Sequence, residues 1–320
     1  MALLTVSGSP HVQSKQTTKS IMWTVVIALL PALLVGVYYF GLPALVVTLT
    51  SVFLCVLFEW LIQKFVLKVT PTIKDGSAVI TGILLAFNLP SSVPIWILAI
   101  GALVAIGVAK MSYGGLGKNP FNPALVGRVF LFISFPTKVA MSEWPLPKAG
   151  AIFNSPFLDA TTGATPILAL KNGQAVDLWN MFIGNIGGSI GEVSALALII
   201  GGLIMLFRKV ITWHIPVSFL LSAAALALVL WLVDPSQYMN PAYHMLAGGL
   251  MLGAIFMATD MVTSPITYKG QLVFGFGCGV LTIIFRSFGP MPEGVSFAIL
   301  IMNAVTPLIN KGFKPKPFGY

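Results

Sequence analysis

Long apolar runs, separated by short polar breaks, organise the whole chain. Runs of about 20 apolar residues match the thickness of a bilayer core. Seven such stretches are clear: Ile21–Phe40, Leu42–Phe65, Val93–Lys110, Val193–Phe207, Ile211–Val233, Gln271–Phe288 and Ser296–Ile309. Three more, Ser77–Leu89, Asn122–Phe135 and Met245–Met261, are shorter or rich in Gly, Pro and polar residues. The pattern predicts an all-α polytopic membrane protein of about ten transmembrane helices.

The two halves of this pattern resemble each other. Each has two ordinary long spans followed by a short glycine-containing one, Gly82-Ile-Leu-Leu-Ala-Phe-Asn-Leu-Pro in the first and Gly253-Ala-Ile-Phe-Met-Ala-Thr-Asp-Met in the second. A glycine-bearing fourth span and a fifth carrying polar residues complete each half. Five is odd, so two such repeats must be inverted relative to each other. Inverted repeats with short, interrupted helices often place a site near the midplane. The expected organisation is a tail (1–20), a first membrane repeat (21–136), a long loop (137–191), a second repeat (192–310) and a tail (311–320).

Composition agrees with burial in lipid. The chain has 320 residues, 57% hydrophobic and only 8% charged, whereas a soluble domain is about a quarter charged. The polar segment Met1–Ser20 contains no short apolar run ending in a small-residue cleavage site, so no cleavable leader is expected.

The formal charge of +9 is read through the positive-inside rule rather than as a nucleic-acid footprint. With a cytoplasmic N-terminus and ten spans, thirteen basic residues fall inside: Lys15, Lys19, Lys64, Lys68, Lys74, Lys110, Lys118, Arg208, Lys209, Lys269, Lys311, Lys314 and Lys316. Four fall outside (Lys138, Lys148, Lys171 and Arg286), and Arg128 lies within a span. Both termini are therefore expected in the cytoplasm, and the one long loop outside.

That loop carries Asp159-Ala-Thr-Thr-Gly-Ala-Thr165-Pro-Ile. Gly163 and Ala164 remove bulk beside the Thr165 hydroxyl, Pro166 fixes the next backbone angle, and Asp159 and Thr162 can hydrogen-bond the turn. An ordinary Thr/Gly turn has the same composition. Other strings also stand out. Gly117-Lys-Asn-Pro-Phe-Asn-Pro leads into the span that holds Arg128, an intramembrane cation that needs a partner. A structural pair with Glu59 or Asp260 meets that need, and so does contact with a cofactor phosphate or ring.

Gly184-Asn-Ile-Gly187-Gly-Ser189-Ile-Gly-Glu192 is a glycine-rich entry into a span. It reads either as helix-end packing or as a set of helix N-terminal amides that favours an anion. Glu59 and Asp260 are intramembrane carboxylates, candidates for an ion or proton path. Asp75, beside Lys74, reads as a helix-end residue. Cys55 and Cys278 sit in apolar runs without metal-site spacing, and His214 and His244 lack ligand spacing.

The loop motif resembles the flavinylation signature of the RnfD/NqrB family: Asp, two residues, Ser or Thr, then Gly-Ala-Thr. Lys74-Asp-Gly-Ser-Ala-Val-Ile-Thr-Gly, Gly117 to Arg128, Gly184 to Glu192 and Met257-Ala-Thr-Asp260-Met-Val-Thr resemble the same family across both halves. The resemblance implies FMN joined through its phosphate to Thr165 by a flavin transferase acting outside the bacterial inner membrane. It also implies a non-covalent riboflavin in the bundle.

With FMN at Thr165, the expected flavin-site residues are Asp159, Thr162, Gly163 and Ala164 in the motif, and, on the readings that favour a cofactor, Arg128, Gly187, Ser189 and Glu192. The implied setting is an ion-pumping ferredoxin:NAD oxidoreductase, with other membrane and peripheral subunits, including an external flavin-bearing one, as partners. The compact N-terminus favours the RnfD branch over the NqrB branch, which serves the sodium-pumping NADH:quinone oxidoreductase. A channel or transporter of similar fold is the rival class, and a scaffold holding other subunits is a third. Neither has a use for the Gly-Ala-Thr motif.

Overall fold

The computed structural model describes residues 16–139, 144–148, 150–151, 162–163, 165–171, 176–235, 237–289 and 294–315. Helix α1 (Thr18–Phe40) begins at Thr17, whose hydroxyl accepts the Ser20 N–H at 3.2 Å. It ends at Gly41, the single residue before α2 (Leu42–Leu61). Only a reversal this tight joins two antiparallel spans with one residue, and Gly41 makes it at φ +71°. A π-turn at Ile62–Val66 ends α2.

The short α3 (Ser77–Phe87) follows, then α4 (Ile95–Leu103) with a second π-turn at Val104–Val108, and α5 (Pro123–Ser134). Asn122 caps α5 by accepting the Ala124 N–H, with Pro123 in the first turn.

Between the halves lie α6 (Pro136–Val139), a two-residue ladder of β1 (Trp144–Pro145) and β2 (Thr162–Gly163), α7 (Pro166–Lys171) and α8 (Leu178–Ile183). The ladder is antiparallel, pairing Trp144 with Gly163 and Pro145 with Thr162. Helices α9 (Ala195–Phe207) and α10 (His214–Val233) open the second half. They are followed by α11 (Pro241–Leu246), α12 (Leu250–Leu252) continued by a π-turn at Gly253–Met257, α13 (Tyr268–Phe288) and α14 (Val295–Gly312).

Among the described residues six helices are long and apolar enough to cross a membrane: α1, α2, α4, α10, α13 and α14, with α2 and α4 counted through their final turns. Three shorter apolar helices, α3, α5 and α9, have 11, 12 and 13 residues, or about 16–20 Å at 1.5 Å per residue. The expected single span Met245–Met261 is broken at Ala247–Gly249. Gly248 and Gly249 take φ +59° and +66° there. The break is held by Arg286, which donates to the carbonyls of His244, Ala247 and Gly248 at 2.6, 2.8 and 2.5 Å.

One apolar core runs through the bundle. Helix α1 packs on α9, α2 on α3 and α4, α10 on α13, and α13 on α14. Small residues set these approaches. A Cβ on Gly201 would stand 2.1 Å from the Ala28 carbonyl oxygen, and one on Gly82 2.6 Å from Val52 Cα. A separate small cluster of Ile167, Met181, Ile186 and Ala247 docks α7 and α8 beside α11.

Candidate functional site

The short helix α3 separates two buried polar groups. At its C-terminal end, Asn88 closes the helix by donating to the Leu84 carbonyl at 2.6 Å. Arg128 on α5 donates to Asn88 Oδ1 and reaches Glu192 Oε1 at 3.3 Å. The other interrupted helix ends here as well: Met257 Sδ lies 3.7 Å from Asn88 Nδ2, and the Met257 carbonyl accepts from Asn122 Nδ2 at 3.2 Å. Two helix C-termini, each carrying partial negative charge, thus converge beside one guanidinium and one carboxylate. That arrangement explains a cation at this depth without invoking Glu59 or Asp260, the partners the sequence suggested. Arg128 pairs with Glu192.

Thr165 lies close to this group. It is 9% exposed and starts α7: its Oγ1 accepts the Leu168 N–H at 3.4 Å and its carbonyl accepts the Ala169 N–H at 2.8 Å. It borders a small pocket with Ile186, Gly187, Gly188, Glu192 and Gly248. The structure therefore brings together Thr165, Gly187, Glu192 and, through Glu192, Arg128. A Cβ on Gly188 would meet no described atom within 4 Å, so the pocket has open space on that side.

Ser189 Oγ, fully buried two residues from Gly187, has no hydrogen-bond partner among the described residues. Gly163 lies in β2 under Leu146, whose Cδ2 would be 2.9 Å from an added Cβ. Its small size serves this packing. Asp159 and Ala164 lie outside the described residues, and only the backbone of Thr162 is described.

The glycine-rich entry does something the sequence left open. The Ile190 and Gly191 amides donate to the Leu89 and Phe87 carbonyls at 3.2 and 3.0 Å. A Cβ on Gly191 would be 2.3 Å from Phe87 Cβ. This part of the segment straps the end of α3, which is helix-end packing. Gly187 and Gly188, further upstream, face the Thr165 pocket.

At the N-terminal end of α3 a second group forms. Lys110 Nζ lies 2.6 Å from Glu59 Oε2 and 2.6 Å from Ser77 Oγ. Charge counting along the chain puts Lys110 among the cytoplasmic loop cations, but it is 1% exposed. Likewise Arg286, counted outside, is fully buried. The available signal for Lys110 was Glu59 itself, because a carboxylate in an apolar span requires a cation nearby. Asp260 does not join Glu59. It accepts from Thr263 Oγ1 at 3.1 Å and the Val262 N–H at 3.5 Å within its own turn.

Lys110 and Asp260 line a common cavity, with Ser77, Thr81, Asn119 and Thr259 among its polar walls. Asn119 Oδ1 is buried there without a hydrogen-bond partner among the described residues.

The fold and these groups define a multi-pass, all-α membrane protein with two interrupted helices facing a buried polar centre. Its sequence matches the model of the NQR2, RnfD, RnfE family over residues 5–319. It is 45% identical to the D-type subunit of the Na(+)-translocating ferredoxin:NAD(+) oxidoreductase complex of Acetobacterium woodii, over 99% of this chain and 95% of that protein. It is 43% identical to the D-type subunit of the proton-translocating ferredoxin:NAD(+) oxidoreductase complex of Clostridium ljungdahlii, over 99% of this chain and 96% of that protein. The D-type subunit of the ion-translocating oxidoreductase complex of Stutzerimonas stutzeri is 38% identical, over 95% of this chain and 93% of that protein. The chain belongs to the NQR2, RnfD, RnfE family.

Proposed function

We propose that this chain is the D-type membrane subunit of an ion-translocating ferredoxin:NAD(+) oxidoreductase complex. In this reading it carries FMN covalently on Thr165 and holds a second, non-covalent flavin, riboflavin, in the cavity beside α3. The observation that carries the first part is the place of Thr165. Its hydroxyl borders a glycine-walled pocket one carboxylate away from a buried guanidinium. The open side at Gly188 and the Ser189 hydroxyl, unpartnered among the described residues, fit a polar group added there.

The larger cavity suits a flavin by its apolar walls and the orphaned Asn119 oxygen, which can accept a hydrogen bond. Bound flavin supplies the redox chemistry, and the protein supplies position and electrostatics. Thr165 would anchor the covalent flavin, Arg128 and Glu192 would set the local field, and Asn119 would offer a hydrogen-bond acceptor to the second flavin.

The subunit sits in the bacterial inner membrane with both termini cytoplasmic and the 137–191 loop outside. The two-repeat arrangement is supported by matching packing in the halves: α2 on α4 and α10 on α13, α4 on α5 and α13 on α14, with α1 on α9 between them.

The test is a denaturing gel of the protein made together with a flavin transferase. A fluorescent band is expected, and Thr165→Val abolishes it. A dark wild-type band under those conditions rejects covalent attachment and returns the transporter reading.

A further inference from the structure

The string Lys74-Asp-Gly-Ser77 is left unused by the flavin reading, yet it joins solvent to the cavity. Asp75 is partly exposed in the turn before α3. Its Oδ1 accepts from the Ser77 N–H at 2.8 Å and from the Ser77 hydroxyl at 2.7 Å. That same hydroxyl accepts from Lys110 Nζ at 2.6 Å. An ammonium has three N–H bonds. Glu59 and Ser77 take two, and Lys110 lines the cavity with the third to give.

Each link is a group that can both release and receive a proton, and each separation is within hydrogen-bond reach. The Gln63 side chain beyond Glu59 offers no such link, because a neutral amide does not exchange its proton readily. It holds Glu59 Oε1 at 3.3 Å and Thr72 Oγ1 at 2.8 Å instead.

We infer that Asp75, Ser77 and Lys110 form a proton relay from solvent into the cavity, serving the group bound there. The inference rests on the flavin reading of that cavity. The proton balance is simple. Lys110 gives a proton to the occupant and becomes a neutral amine. The Asp75 carboxylate takes a proton from hydronium in the solvent and passes it to Ser77 as the Ser77 hydroxyl passes its own to Lys110, which leaves Asp75 a carboxylate again. One proton moves inward and the relay returns to its starting state.

Glu59 holds the ammonium in place. The other titratable groups facing Lys110 are Asp75, Asp260 across the cavity and the Cys55 thiol on α2. The geometry also gives Asp75 a role beyond capping α3. A cap alone needs only the backbone bond to Ser77, not the hydroxyl aligned between a carboxylate and an ammonium.

The test uses the purified complex and the non-covalent flavin in it. Its midpoint potential is titrated against pH, and its reduction by a chemical reductant is timed in H2O and in D2O. The wild type is expected to show a potential that falls with rising pH and a rate slowed in D2O. Ser77→Ala is expected to slow reduction, measured per bound flavin, on the order of 100-fold, the scale of one general acid–base contribution. Asp75→Asn does the same while keeping the cap, and Ser77→Thr restores the wild-type rate. Wild-type rates and isotope effects in both Ser77→Ala and Asp75→Asn overturn the relay. A wild-type complex with no flavin beyond the covalent one overturns the cavity assignment, and the relay with it.

Discussion

Single residues set the sharpest contrast between chain and structure. Lys110 and Arg286 stand at the ends of apolar runs, where a basic residue ordinarily reaches the interface. Both are buried instead, Lys110 by Glu59 and Ser77, and Arg286 by three carbonyls of the broken segment. Removing one from each side of the charge count leaves its direction intact. Arg128 was recognisable as a cation in a span, but its partner was not, because Glu192 lies 64 residues away and meets it only through the strap over α3.

That pair makes a prediction. Breaking a buried ion pair by removing one member costs about 3–5 kcal/mol, so Arg128→Met is expected to lower the thermal midpoint in detergent markedly. The double variant Arg128→Met with Glu192→Gln should recover much of the loss. Equal stability of wild type and single variant would show that the pair contributes little.

At the scale of elements, the informative features are the short helices. Helix α3 covers only about half of a ~30 Å bilayer core at 1.5 Å per residue, and α12 with its π-turn is shorter still. Their exposed C-terminal carbonyls are why Asn88, Asn122 and Arg128 gather where they do. The sequence showed both as weak, glycine-containing spans, so their existence was legible. The break at Ala247–Gly249 was not, because it depends on Arg286 reaching back from α13.

Helix contacts in a membrane rely on small residues at the crossing, and Gly201 on α9 meets the α1 backbone in this way. Gly201→Leu is expected to cost at least the ~1–3 kcal/mol of an overpacked core. It should cut the yield of folded protein on fluorescence-detected size exclusion. A Gly201→Leu protein with wild-type yield and melting would place the α1–α9 contact elsewhere.

For the whole molecule, orientation is the property that links Thr165 to the proposed flavin attachment. In the proposed topology Lys64, Lys74, Lys118, Lys209 and Lys311 stand at the cytoplasmic ends of the spans and the 137–191 loop lies outside. A cysteine introduced near Asp159 is therefore expected to react with a membrane-impermeant thiol reagent in intact cells. Reaction only after the membrane is opened would invert the assigned topology.

The candidate site shows the same division. The motif containing Thr165 is a local string, and it could be read directly. Its neighbourhood of Gly187, Glu192 and Gly248 is assembled from separate segments by the docking of α7 and α8 on α11. Asp159 and Ala164 lie outside the described residues, so their expected part in the turn stays with the proposal.

By itself the chain determined its solvent, its long spans and its local motifs. Each follows from properties that neighbouring residues carry together: apolar run length, glycine and proline placement, and the side on which charge accumulates. Only the tertiary structure decided which buried charges meet, where a weak span breaks and which walls enclose the cavity. Those outcomes depend on residues tens to more than a hundred positions apart, brought together when helices with little length to spare had to satisfy their polar ends inside a membrane.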